Sequence, residues 1–351
     1  MGMKIDAMMG GLSIRESRSF ALGLEAAGFD GVWVTEGGRT PYLACTAAAL
    51  ATETLEIGTG IAVAFPRSPM VTAATAWELA EASDGRFVLG LGTQVKAHIV
   101  RRYGVEFNPP GPRLRDYVLA VQAIFEAFQS GGKLDYHGPY YNLDLLPASW
   151  RQGPIEAAAP PIYLSAVRPW MLQLCGELAN GVHVHPLHSR RYLDEIVRPN
   201  VAIGAARTGR DPGDVRLVCP VMTITGDTDA ELEIWRARAR MQLAFYGSTP
   251  GYELIFDVHG WTGVGERLNQ LMRAGDMAAL AATITDEMLD VFAVTATWDR
   301  LAEALLDRFH GSAARVICYF VGTGWKDDPE VLSRWADVTA GVKRRLAAPG
   351  A

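Results

Sequence analysis

Short apolar runs alternate with amphipathic stretches along most of the chain, and glycine or proline marks the joints. Residues 4–9 predict a strand and 14–27 a helix, with Ser13 as N-cap and Gly28 as its stop. The pattern then repeats: strand 31–34, helix 41–52, strand 55–64, helix 68–83, strand 87–91, and helical periodicity from 95 and again over 114–129. After a break at 131–161 rich in glycine, proline and tyrosine, with room for a small hairpin, the alternation returns. Strands are predicted at 161–165, 181–185, 215–225 and 315–320, with helices at 169–179, 189–207, 298–309 and 328–346. Between 229 and 282 the pattern is helical, interrupted by glycines near 247–251 and 260–265.

Eight strands, several of them continuous apolar runs, fit a parallel sheet buried on both faces. Eight β–α units suit a closed barrel better than an open sheet. The expected fold is therefore α/β: a (β/α)8 TIM barrel forming one domain over 1–351, with insertions at about 131–160 and 245–290. Excursions of that length on a barrel often cover the active-site end. The 351 residues carry 33 Lys and Arg against 39 Asp and Glu, a net charge of −6, which argues against nucleic acid or an anionic membrane as partner. Cys45, Cys175, Cys219 and Cys318 are scattered and form no metal or disulfide pattern. With no signal sequence and no apolar stretch of spanning length, a cytoplasmic protein is expected.

Chemistry in such a barrel sits at the C-terminal ends of the strands. Here those ends are Met8 and Met9, Thr35 and Glu36, the run 58–65, Gly92, Thr93 and Gln94, Ser165 to Arg168, and His183 to His188. The set is apolar and glycine-rich. It holds neither a glycosidase carboxylate pair nor a nucleophile–base constellation. Such a floor suits a flat ring that brings its own chemistry. Glu36 is the candidate proton donor or ring anchor, or else a capping or salt-bridged carboxylate. His183, His185 and His188 invite a metal reading, since 183 and 185 share one strand face, but no clear third ligand accompanies them. No metal is expected.

Several stretches resemble the luciferase-like monooxygenase superfamily, and within it the branch that uses coenzyme F420. They are EAAGFDGVWV at 25–34, IGTGI at 57–61, PRSP at 66–69, SDGRFVLGLGT at 83–93 and LANGV at 178–182. The resemblance spans nearly the whole chain. It implies an F420-dependent oxidoreductase passing hydride between the deazaflavin ring and a small organic substrate. The alternatives are an FMN-dependent monooxygenase and a binding protein without turnover. It also implies a homodimer, a nonproline cis peptide at Gly60-Ile61 beneath the ring, and a phosphate site at Ser165, Ala166, Val167 and Arg168. His185 would lie near the cofactor tail. Gln94 and Thr93 would hydrogen-bond the ring's carbonyl edge, with Gln94 counted beside Glu36 among the catalytic candidates.

Two departures from the resemblance stand out. Where many F420 relatives have an acidic residue followed by histidine at the end of the second strand, this chain has Glu36 and then Gly37. Where a sugar-phosphate-oxidising relative has a glutamate after the fourth strand, it has Val95. That acid–base pair is therefore not carried over. An anionic cofactor on a net-acidic protein also calls for local positive charge, for which Arg67, Lys96 and Arg168 are the candidates.

Overall fold

The computed structural model describes residues 2–323, 325–326, 328 and 330–348. Eight parallel strands close into a barrel: β1 (Lys4–Met9), β2 (Gly31–Val34), β3 (Glu56–Thr59), β4 (Phe87–Gly92), β5 (Ile162–Ala166), β6 (Gly181–Val184), β7 (Arg216–Gly226) and β8 (Arg315–Cys318). Each pairs with its neighbours in chain order, and β8 returns to pair with β1. Every strand position predicted from the apolar runs is occupied by a barrel strand. The joints behave as their residues require. Ser13 and Glu16 form a reciprocal capping box, and Gly28 and Gly85 end their helices at positive φ.

The barrel interior is layered. At its lower end Asp6 of β1, fully buried, receives Arg315 of β8 through two hydrogen bonds of 2.5 and 2.7 Å. Trp33 of β2 donates its indole N–H to the same carboxylate at 2.8 Å. Arg315 also reaches Glu56 of β3, which Lys4 pairs from the other side. One guanidinium thus ties three strands, and Asp6 adds the fourth through Trp33. Gly31 makes room for it, because a Cβ there would stand 2.6 Å from Arg315 Nη2. Burial pulls the Glu56 carboxyl upward, but Arg315 and Lys4 outweigh it and leave the group below its usual range. Above this cluster Trp33, Val88, Tyr163, Val218 and Ile317 pack together and fill the barrel's middle.

The expected break in strand three and the glycine interruptions after β7 are both present, and one further strand is not in the sequence pattern. β3 breaks after Thr59 and resumes as Ala62–Val63. The helical stretch after β7 is several separate helices, among them Asp229–Gly247, Glu253–Asp257, Val264–Ala274, Met277–Ala282 and Asp286–Phe292. They lead into a further strand, Ala293–Thr297, paired in parallel with the last five residues of β7 outside the barrel.

The two insertions take different positions. The segment at 131–160 carries a short hairpin, Tyr136–His137 with Asn142–Leu143. Its polar contacts go to the outer helices. Asp116 holds the Tyr140 and Tyr141 N–H groups and the Tyr136 hydroxyl, and Trp77 donates to the Gly153 carbonyl. It dresses the barrel's flank. The segment at 245–290 instead reaches the strand ends of β5 and β6. Among the described residues no helix is long and apolar enough to cross a membrane.

Removing Arg315 leaves Asp6 as an uncompensated buried charge. Arg315→Leu is expected to cost about 3–5 kcal/mol of unfolding free energy in urea titrations. A loss under about 1 kcal/mol would show that the clamp does not hold the barrel.

Candidate active site at the barrel mouth

The mouth is shaped by an irregularity in β3. Its register with β4 runs Ile57↔Phe87 and Gly58↔Val88, then Ala62↔Leu91 and Val63↔Gly92. Three residues of β3, 59 to 61, therefore oppose two of β4, which is a bulge. Thr59 bridges the gap. Its hydroxyl donates to the Gly90 carbonyl at 2.7 Å and accepts the Gly90 N–H at 2.8 Å, replacing the lost ladder bonds. The bulge contains a cis Gly60-Ile61 peptide bond.

Glycines let β3, β4 and their neighbours pack closely here. A Cβ on Gly60 would meet His183 Nε2 at 2.9 Å and Trp33 Cβ at 3.1 Å. On Gly90 it would run into the Thr59 carbonyl, and on Gly92 into Ser165 Oγ and the Ile61 side chain. Gly60, Ile61, Gly92, Ser165 and His183 thus converge across β3 to β6. His183 Nε2 is buried and has no hydrogen-bond partner among the described residues. A buried polar atom beneath a half-buried surface is a common mark of a site completed by a ligand.

The other residues singled out in the sequence lie around this floor. Ala166 is buried beside the half-buried Ser165 and Val167. The Val167 carbonyl accepts the Tyr192 hydroxyl at 2.5 Å, which fixes the loop leading to the exposed Arg168. Arg168 adopts the extended N-cap conformation and Pro169 opens the helix Pro169–Leu178, so that helix begins at the mouth. His185 is flanked by the rings of Tyr246 and Tyr252 at 4.8 and 4.5 Å. Its Nδ1 accepts the Leu187 N–H, so the neutral ring carries its proton on Nε2. The three histidines do not converge, and among the described residues no group of three metal-ligating side chains does.

Of the readings open for Glu36 the structure shows the salt-bridged one, and Gln94 turns onto its own loop. The Glu36 side chain is 4% exposed and bound bidentately by Arg67 at 2.7 and 2.9 Å. It also accepts the Val63 N–H at 2.7 Å and the Tyr103 hydroxyl at 3.3 Å. This carboxylate is an acceptor on both oxygens, which makes it a brace between β2 and the resumed β3 rather than a proton donor. For the same reason Arg67 is not free to meet an anion. Burial alone would ease its proton loss, but Glu36 outweighs that and holds it charged. Gln94 sits at φ 57° with its Oε1 accepting the Val95 N–H, and Thr93 donates to the Gln94 carbonyl. Both side chains serve their own turn. Lys96 and Arg168 remain as exposed cations at the rim.

Tyr319 was not singled out in advance. It follows β8 on the same alternation as Arg315 and Ile317. It lines a hollow of about 200 Å³ with Met8, Met9, Gly10 and Phe320. Its hydroxyl lies 3.3 Å from that of Tyr246, and burial raises its pKa well above the usual value, so it stays protonated. The period-2 pattern of β8 carried the signal for Tyr319. Tyr246 and Tyr252 come from the insertion, where nothing local ties them to the mouth.

A model of the family described as luciferase-like monooxygenase matches residues 3–315. An uncharacterized protein of Mycobacterium tuberculosis is 40% identical over 301 residues, covering 86% of this chain and 88% of the other. The 5,10-methylenetetrahydromethanopterin reductase of Archaeoglobus fulgidus is 30% identical over 304 residues, covering 84% and 86%. Among solved structures, the coenzyme F420 dependent tetrahydromethanopterin reductase of Methanopyrus kandleri matches with a TM-score of 0.79 at 20% identity. That match covers 99% of this chain and 100% of the other, and it bears on the fold alone.

Burial lowers the pKa of His183 and His188 to about 4, and that of His185 to about 3 with help from the other two. Unfolded histidine titrates near 6.5. The unfolded chain therefore binds protons that the native chain refuses below about pH 6.5. This contribution to stability is complete above that pH and is lost as the pH falls toward 4. The urea midpoint is expected to drop between pH 7 and 5, and to drop less steeply in His183→Asn. Equal slopes would contradict neutral burial of His183.

Proposed function

The chain belongs to the luciferase-like monooxygenase family, and we propose that within it this protein is a coenzyme F420-dependent oxidoreductase acting on a small organic substrate. The observation that carries the reading is the bulged, glycine-lined floor over the unpartnered His183 Nε2. Gly60 and Ile61 are half-buried there, which leaves backbone for a flat ring to lie against. Support for F420 over FMN comes from the A. fulgidus relative, a named methylenetetrahydromethanopterin reductase at 30% identity, given that the branch resembled here uses F420.

In this reading Gly60 and Ile61 seat the ring, and Thr93 and Gln94 border it. The Ser165 hydroxyl, the backbone of Ala166 and Val167, Arg168 and the start of the helix Pro169–Leu178 receive the phosphate. His185 stands between this loop and the tyrosines of the insertion. Bound reduced deazaflavin supplies a hydride equivalent; the protein supplies position, dryness and a proton. Glu36 holds Arg67 and β3 in place and so acts on position. The proton source is the Tyr319 hydroxyl: the residue lines the hollow beside Met8, and its hydroxyl adjoins that of Tyr246.

Titrating F420 and FMN into the protein side by side tests the cofactor. F420 is expected to bind at least about tenfold more tightly, a difference of about 1.4 kcal/mol. A preference for FMN would replace this reading with that of an FMN-dependent monooxygenase, and saturation by neither would remove both. For the proton source, Tyr319→Phe should slow turnover with F420 by about a hundredfold while shifting F420 affinity by no more than about twofold. Unchanged turnover would rule Tyr319 out.

A further inference from the structure

A second cavity, of about 500 Å³, lies where β7 outruns the barrel. Strands normally end at the mouth, but residues 222–226 of β7 continue beyond it, supported by the strand Ala293–Thr297. The extension carries Thr223 and Thr225 on one face, and both line the cavity. The Thr223 hydroxyl is committed to the Tyr319 carbonyl at 2.6 Å. The Thr225 hydroxyl is buried with no partner among the described residues. Trp235 from the helix after β7, Trp298 and Phe320 supply aromatic walls. Phe320 packs against Trp235 with ring centroids 5.3 Å apart. Arg238 lies over the Trp235 ring and Arg334 over that of Trp298, at 4.6 and 5.9 Å.

Three independent observations make this a built site rather than a packing gap. Its volume is that of a small-molecule pocket. Its buried hydroxyl lacks the partner such groups almost always have. Phe320, which divides it from the hollow under Tyr319, is held at φ 70°, a region that bulky residues seldom adopt. Phe320 and Thr323 line both spaces, so the cavity adjoins the mouth.

We propose that this cavity is a binding subsite for a planar fused aromatic or heteroaromatic ring carrying a hydrogen-bond acceptor, which Thr225 engages while Trp235, Trp298 and Phe320 wall the space around it. Resting on the oxidoreductase reading, the ring belongs to the substrate: its reactive end lies at the hollow beside Tyr319 and its flat body here. The enzyme would then select extended aromatic substrates over small aliphatic ones.

Quinoline and naphthalene, alike in shape but differing by one acceptor nitrogen, test this by equilibrium dialysis without any cofactor. Wild-type protein should bind quinoline roughly fivefold more tightly than naphthalene, the worth of one ordinary hydrogen bond. Thr225→Val, close to isosteric, should abolish that preference. Trp235→Leu should weaken both probes tenfold or more. F420 titrations should be unaltered in both variants. Equal binding of the two probes by wild type, or a preference that survives Thr225→Val, overturns the subsite. Selective quinoline binding by a protein that binds neither F420 nor FMN would keep the subsite and reject the oxidoreductase reading instead.

Discussion

Arg315 ties the last barrel strand to the first, and everything above it depends on that closure. An open parallel sheet would expose two edges; the closed barrel exposes none. The clamp sits in the lower barrel with Asp6, Glu56 and Trp33, where burial makes each partner costly to leave alone. Trp33 links this charged layer to the aromatic layer above. Its ring also packs edge-on to His183, 5.4 Å away, so the clamp and the floor of the mouth share one side chain.

Above this filled layer the strand ends of β3 to β6 pack closely through glycine, and Gly60, Ile61 and Ser165 are left half-buried. Glycine at 60, 90 and 92 withdraws side chains where most barrels of this kind would place branched ones. The Thr59 hydroxyl keeps the bulged strand attached to β4 despite the missing ladder bonds. Glu36 and Arg67 brace the other side of the bulge. The floor is a closely packed, glycine-rich surface held from below and from both flanks, which is what a ring-bearing cofactor needs from a protein that contributes little acid–base chemistry of its own.

Much of this was legible in the sequence, for identifiable reasons. The barrel strands are apolar runs between glycine and proline punctuation, a signal that does not depend on distant contacts. The strand Ala293–Thr297 was not legible, because it is short and its partner is the surplus length of β7. At the site, Glu36 and Arg67 were each visible as charged residues at strand ends, Glu36 as a proton donor, ring anchor or salt-bridged carboxylate and Arg67 as an anion partner. The fold joins them across 31 positions, which selects the salt-bridged reading and occupies Arg67. Gln94 is turned onto its own backbone by a positive φ that its residue type does not announce. Tyr319 lay within the predicted last strand, but its importance appears only once Tyr246 is brought beside it.

The central claim is that the glycine-lined bulge is the seat of a deazaflavin ring. A crystal structure of the protein saturated with F420 tests it most directly. The account predicts the ring lying against Gly60 and Ile61, with its phosphate at the Ser165–Arg168 loop. A ring bound elsewhere, for example between Trp235 and Trp298 with the bulge bare, would contradict it.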